Sequence, residues 1–380
     1  MSSKRIRKKK KKAAEWKNCP LCGKALPFDP DLRVTGATGR SICKHCLHIA
    51  NIIAGLDTEL YSEKNPIAFS LTLSPSDALS KLNEVIIGQD NAKRAVVMAL
   101  WKQLRRRSGD SIPNASLLLY GPTGCGKTAL IREAARIMGV PFISADATSV
   151  SETGYRGRDT ADLVKDLVKQ CGSVEKAAYG VIFVDEFDKL AADRTNDYRA
   201  SYCRGTQFSF LKLIEGADVD TDDGVINTSN ILFLFGGAFS QLTDRQQQTP
   251  SLHKKVGFLW ESQPKIADNP AQLTPEDFIS FGMEPELMGR VGRCLALSPL
   301  TEESMKKILL ESKLSVYRKY QVYFHQNGKR LTMSEAEIKE LVQRALARNM
   351  GARGLNALVE EWVEPQLAAL AEEQYGVMGA

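Results

Sequence analysis

Apolar residues in this chain fall in short runs, and three segments have a readable period. In ASLLLYGPTGCGKTALIREAARIMG (residues 115–139), an apolar run gives way to a glycine-rich loop and then to apolar positions at helical spacing. That order predicts a strand, a loop and an amphipathic helix. In YGVIFVDEFDKL (residues 179–190), positions 181–184 are continuously apolar. Such a run suits a parallel strand covered on both faces. In SPSDALSKL (residues 74–82), Ser74 is placed as an N-cap, Pro75 suits the first helical position and Asp77 completes a capping-box pattern. Residues 57–74 lack sustained periodicity and read as a linker. No apolar run approaches the ~20 residues of a membrane span, so no membrane partner is expected.

A chain of 380 residues accommodates two or three domains. Its formal charge of +6 is unevenly distributed. Eight Lys and Arg lie within residues 4–12, which leaves 43 basic against 45 acidic residues elsewhere. Residues 1–15 therefore read as a disordered basic tail on a near-neutral body, since like charges repel and the segment has little to bury. Nucleic acid is a candidate partner for that tail alone. The basic start lacks the apolar stretch of a secretory signal, so the expected compartment is cytoplasmic, and the eight cysteines are not expected to form a disulfide framework.

Four of those cysteines are grouped. Cys19 and Cys22, then Cys43 and Cys46, form two C-x2-C pairs with twenty residues between them. Paired knuckles of this kind bring thiolates to the corners of a tetrahedron, the geometry of a structural Zn²⁺ site. His45 and His48 are alternative ligands. The expected zinc-binding module, residues 16–56, is too short for a large core and would draw much of its stability from the metal.

Gly121 to Thr128 reads G-x-x-x-x-G-K-T between strand and helix, the context a phosphate-binding loop requires. The candidate ATP contacts are Gly121, Pro122, Thr123, Gly124, Cys125, Gly126, Lys127 and Thr128, with Ala129 behind them. Glycines let backbone N–H groups curl around phosphate oxygens, and the helix start adds positive potential. Lys127 would bridge the β- and γ-phosphates, and Thr128 would ligate Mg²⁺. Asp185 and Glu186 follow the second apolar run, at the strand end where open α/β sheets hold ligands. Asp185 is the candidate for the Mg²⁺ shell, and Glu186 for polarising the attacking water. Cys125 reads as a small residue filling a variable position.

With these motifs the chain resembles the AAA+ ATPases, and among them the ClpX family of ATP-dependent protein unfoldases. The resemblance covers nearly the whole length. It implies an α/β fold: an AAA+ P-loop αβα sandwich with a parallel sheet over residues 75–298, a small mainly helical domain over 299–380, and the N-terminal zinc module. VIIGQDNAKRAV resembles the segment before the phosphate loop, where Ile86 and Ile87 would pack on adenine. FLKLIEG and ILFLFGGAF resemble the helix and strand after the acidic strand, and PELMGR the stretch ending in the arginine finger, here Arg290. Arg293 competes for that role because GRVGR departs from the family's GRLP. GARGLNALVE resembles the sensor-2 helix, which makes Arg353 a phosphate contact within its own chain. HslU shares the GQDNAKR stretch but carries an inserted domain, for which the 56 residues between Thr128 and Asp185 leave no space.

The same resemblance accounts for TSVSETGYRGRD. Gly154, Tyr155, Arg156 and Gly157 align with the family's first pore loop, so a homohexamer would project Tyr155 into an axial channel and push on protein substrates without reading their sequence. Arg156 departs from the usual valine, and Arg204 stands where the second pore loop usually has glutamate. The acidic stretch ADVDTDDG replaces a long basic loop at the channel entrance. Val256, Gly257 and Phe258 resemble the tripeptide that docks on a ClpP-like peptidase, and adaptors would bind through the zinc module. The alternative is a non-proteolytic remodeller of protein or nucleoprotein complexes that uses the same ATPase.

Overall fold

The computed structural model describes residues 33–35, 41–43, 73–151, 158–191, 197–248, 273–348 and 350–378. The chain divides into two units, Met1–Pro66 and Ile67–Ala380. In the first, strand β1 (Arg33–Thr35) pairs antiparallel with β2 (Ser41–Cys43). Cys43 thus lies at a strand end, whereas Cys19, Cys22 and Cys46 lie outside the described residues.

The second unit is built on a five-stranded sheet. Strands β3 (Ser116–Tyr120), β4 (Phe142–Asp146), β7 (Val181–Asp185), β10 (Leu232–Gly237) and β11 (Val291–Ala296) lie in the order β11-β3-β10-β7-β4. Every pairing is parallel. Between β4 and β7 a short parallel pair, β5 (Val150–Ser151) and β6 (Arg158–Asp159), joins the two flanks of the tyrosine-bearing segment, whose residues 152–157 lie outside those described. Strands β8 (Asp218–Thr221) and β9 (Gly224–Asn227) form a hairpin from the acidic stretch.

Side chains of the central strands alternate between two cores, as strand geometry requires. Leu118, Tyr120, Ile182, Val184, Phe233 and Phe235 face one core, which the helices Thr160–Cys171 and Asp197–Glu215 help to close. Leu117, Leu119, Val181, Phe183, Leu232 and Leu234 face the other, closed by Pro75–Asn83, Asp90–Arg107 and Lys127–Met138. Continuous apolar runs at β7 and β10 are the consequence of burial on both faces. Each fully buried phenylalanine here contributes about 1.5–3 kcal/mol.

The expected capping pattern at Ser74 is present. Ser74 Oγ accepts from Asp77 N at 3.1 Å and donates to the Asp77 carboxylate at 2.7 Å, with Pro75 opening the helix. After β11 the chain enters a separate helical core made by Glu302–Leu310, Val316–Gln326, Glu335–Ala347 and Gly351–Met378. Among the described residues no helix is long and apolar enough to cross a membrane.

Candidate active site

The glycine-rich loop leaves the C-terminal end of β3 and opens the helix Lys127–Met138. Gly126 precedes that helix with left-handed φ and no side-chain cap, so the first helical N–H groups remain available to an anion. Two loop positions exclude any side chain. A Cβ on Gly121 would lie 2.5 Å from Leu297 O, and one on Gly124 would lie 2.1 Å from Met350 O. The first approach comes from the end of β11. The second comes from the start of the last helix of the helical domain, where Ala352 N donates to Gly124 O at 3.0 Å. Gly351 is equally constrained, because its Cβ would meet Gly124 O at 2.6 Å. The loop is therefore wedged between two segments that come later in the chain.

Lys127 is buried, and its Nζ donates to Gly121 O at 2.7 Å and Pro122 O at 3.0 Å. The ammonium is thus held inside the loop whose backbone would cradle phosphates. Thr128 Oγ1 donates to Asp185 Oδ2 at 2.6 Å, which joins the two expected Mg²⁺ ligands across 57 residues of sequence. A carboxylate and a hydroxyl side by side, next to a buried ammonium and free helical N–H groups, fit a magnesium–nucleotide.

Glu186 is exposed and has φ 54° and ψ 32°, a left-handed conformation that glutamate disfavours. Such strain costs about 1–3 kcal/mol and persists only where the surroundings enforce it. Here they do. The next residue, Phe187, is fully buried, with its ring centroid 4.3 Å from that of Phe235 and 5.9 Å from that of Phe210. Asp185 Oδ1 accepts from Glu186 N at 2.9 Å. Asp188 Oδ1 accepts from Ala238 N at 3.1 Å and fastens the turn after β7 to the end of β10.

Cys125 is buried 3.9 Å from Lys127 Nζ. The ammonium lowers the thiol pKa and burial raises it; burial is the larger effect, and the net shift is upward. The thiol stays neutral at ordinary pH, which agrees with its reading as a space-filling residue.

The adenine-flanking segment is divided by burial. Ile86 belongs to the core beneath the sheet, and Ile87 keeps partial exposure. Their turn is held by residues that sequence reasoning passed over. Lys93, 2% exposed, donates to Asn83 Oδ1 at 2.6 Å and Ile86 O at 3.3 Å, and pairs with Asp90 at 2.8 Å. Ser312 of the helical domain donates to Val85 O at 2.6 Å, and Lys313 pairs with Glu84. That ion pair holds the Glu84 carboxyl below its usual range. The available signal was the GQDNAKR stretch itself, which sets Lys93 three residues after Asp90 at the start of the helix.

Arg290 closes the helix Pro285–Arg290 and donates to Glu215 Oε1 from Nε at 3.0 Å and Nη2 at 2.6 Å. Arg293 and Arg353 are exposed and carry no ion pair among the described residues. Arg204 lies within the helix Asp197–Glu215 and pairs with Glu284 at 3.2 Å. The flanks of the tyrosine segment are tied down: Tyr202 Oη donates to Val150 O at 3.1 Å, Arg158 pairs with Asp166, and Asp159 caps Thr160–Cys171. Gly154, Tyr155, Arg156 and Gly157, and likewise Val256, Gly257 and Phe258, lie outside the described residues.

Comparison with known proteins agrees with this geometry. A family model for the AAA domain (Cdc48 subfamily) matches residues 112–294, and one for the C-terminal D2-small domain of ClpB protein matches residues 300–374. The ATP-dependent Clp protease ATP-binding subunit ClpX of Treponema denticola is 32% identical over 368 residues, covering 90% of this chain and 87% of its own. The corresponding ClpX 2 of Wolinella succinogenes is 31% identical over 380 residues, covering 94% of this chain and 92% of its own. An identity of that size over nearly the whole length, added to a phosphate loop, acidic strand and helical domain in the expected order, places the chain in the ClpX family of AAA+ ATPases.

Proposed function

We propose that this ATPase works as a ring of six copies that unfolds proteins and threads them through a central channel to a ClpP-like peptidase. The observation that carries the reading is the convergence at one edge of the sheet of Lys127, the Thr128–Asp185 pair and the strained Glu186, with the helical domain docked on the same loop. Bound magnesium–ATP supplies a phosphoanhydride bond whose cleavage drives the machine. Thr128 and Asp185 hold the metal, Lys127 neutralises phosphate charge, and Glu186 accepts hydrogen-bond donation from the attacking water. Arg353 contacts the phosphates of its own chain.

Arg290 acts on the neighbouring copy's site. Its pairing with Glu215 is compatible with that role: side chains 59% and 44% exposed form an ion pair worth about 0–1 kcal/mol, readily exchanged for a phosphate. A guanidinium supplied there contributes about 10³–10⁵ in rate. Tyr155, between Gly154 and Gly157, is the group that pushes on the polypeptide, and the flanks pinned at Val150 and Asp159 give it a rigid base. Arg156 and the acidic hairpin shift client choice away from that of other family members. The cysteine quartet holds structural zinc and recruits adaptors, Val256-Gly257-Phe258 docks the peptidase, and the protein acts in the cytoplasm.

ATP turnover by the full-length protein, measured alone, with an unfolded polypeptide and with DNA, tests this reading. Stimulation by polypeptide is expected. Stimulation by DNA alone would replace the proposal with the nucleoprotein remodeller.

A further inference from the structure

One residue joins the phosphate loop, the adenine-flanking turn and the linker to the helical domain, and no role above falls to it. Gln89 has φ 59° and ψ 36°, immediately after Gly88 at φ 70°. Glutamine disfavours this left-handed region, which asparagine and glycine tolerate. Its side chain explains why it stands there. Nε2 donates to Ser298 O at 2.8 Å, Oε1 accepts from Ser298 N at 3.0 Å, and Nε2 also lies 3.5 Å from Cys125 O. A carboxamide matches the C=O and N–H of a single residue, donor to acceptor and acceptor to donor, which an ionised carboxylate or ammonium cannot do.

The position of Ser298 gives this pairing its consequence. It follows Leu297, whose N–H donates to Tyr120 O at 2.7 Å and whose carbonyl oxygen closely overhangs Gly121. It precedes Pro299 and Leu300, which line a cleft together with Pro122, Cys125 and Met305. One wall of that cleft belongs to the phosphate loop and the other to the linker and the helical domain. Gln89 fixes the point at which the second wall leaves the first.

We infer that Gln89 is a positioning residue for nucleotide binding: its amide clasps Ser298 and sets the linker so that the helical domain's wall closes on ATP. It acts through Ser298 and touches no reacting atom. The inference rests on the ATP site alone and is independent of whether the protein pulls on clients. An asparagine at the same position keeps the amide and suits the backbone better, but is one methylene too short to reach.

Gln89→Asn and Gln89→Glu in the full-length protein test this by mant-ADP affinity, steady-state ATP turnover and thermal melting. Gln89→Asn is expected to melt no lower than the parent, because relieved strain offsets the lost hydrogen bonds. It is nonetheless expected to bind mant-ADP about tenfold more weakly, because only about a tenth of the molecules then hold the linker in the binding arrangement. Its KM for ATP rises by a similar factor, and kcat changes by less than about threefold. Gln89→Glu, which sets a carboxylate against the Ser298 carbonyl, is expected to bind at least as weakly. Parental affinity in Gln89→Asn, or an affinity loss matched by a fall in melting temperature in both variants, would overturn the inference. A parent that bound no mant-ADP would overturn the ATP-site assignment and the inference together.

Discussion

At the scale of single residues, the site is organised by opposing pressures. Lys127 is buried but satisfied by loop carbonyls, and Glu186 is strained but anchored by the burial of Phe187. Cys125 is the clearest case, since an ammonium 3.9 Å away would be expected to activate a thiol. Burial outweighs it and keeps the thiol protonated. Iodoacetamide at neutral pH should therefore leave ATP turnover unchanged over times that exhaust an exposed thiol. Fast inactivation that ATP prevents would contradict this. The sign fixes the direction with pH: a thiol whose pKa is raised ionises only above the ordinary thiol range, so reactivity at position 125 should emerge in alkali.

At the scale of elements, the turn between Pro75–Asn83 and Asp90–Arg107 matters most. It is short, it buries Val85 and Ile86, and it is held from below by Lys93 and from the helical domain by Ser312 and Lys313. Lys93→Met would leave Asn83 Oδ1 and Ile86 O without their donor. The expected cost is about 2 kcal/mol, with a lower melting temperature and a raised KM for ATP, since Ile87 loses its support. Unchanged melting and unchanged KM would show that the turn is held by packing alone. Legibility in the sequence followed the same division. The phosphate loop, the acidic strand and the Ser74 cap were readable because their chemistry requires particular residues at contiguous spacing. The clasp of Gln89 on Ser298, the Glu215–Arg290 pair and the Gly124–Gly351 approach were not, because each joins residues brought together only by the fold. The ion pair of Arg204 with Glu284 was unreadable for the same reason.

At the scale of the whole molecule, the strand order β11-β3-β10-β7-β4 brings the phosphate loop and the acidic strand end to one edge, with β10 between them. Gly236 and Gly237 make that spacing workable. A Cβ on the first would approach Phe183 at 2.5 Å, and on the second Asp188 Oδ1 at 2.9 Å. The helical domain touches the same site at the phosphate loop, the linker and the Glu84–Ile87 turn, so a change at the phosphates has three routes into a domain movement.

Conversion of that movement into force on a polypeptide is the central claim, and Tyr155→Ala tests it most directly. The measurement is the rate at which a stable, folded fluorescent protein loses its signal in the presence of ATP, alongside ATP turnover in the same sample. The account predicts unfolding slowed at least about tenfold while turnover stays within about threefold of the parent. Unfolding at the parental rate by the Tyr155→Ala protein would contradict it.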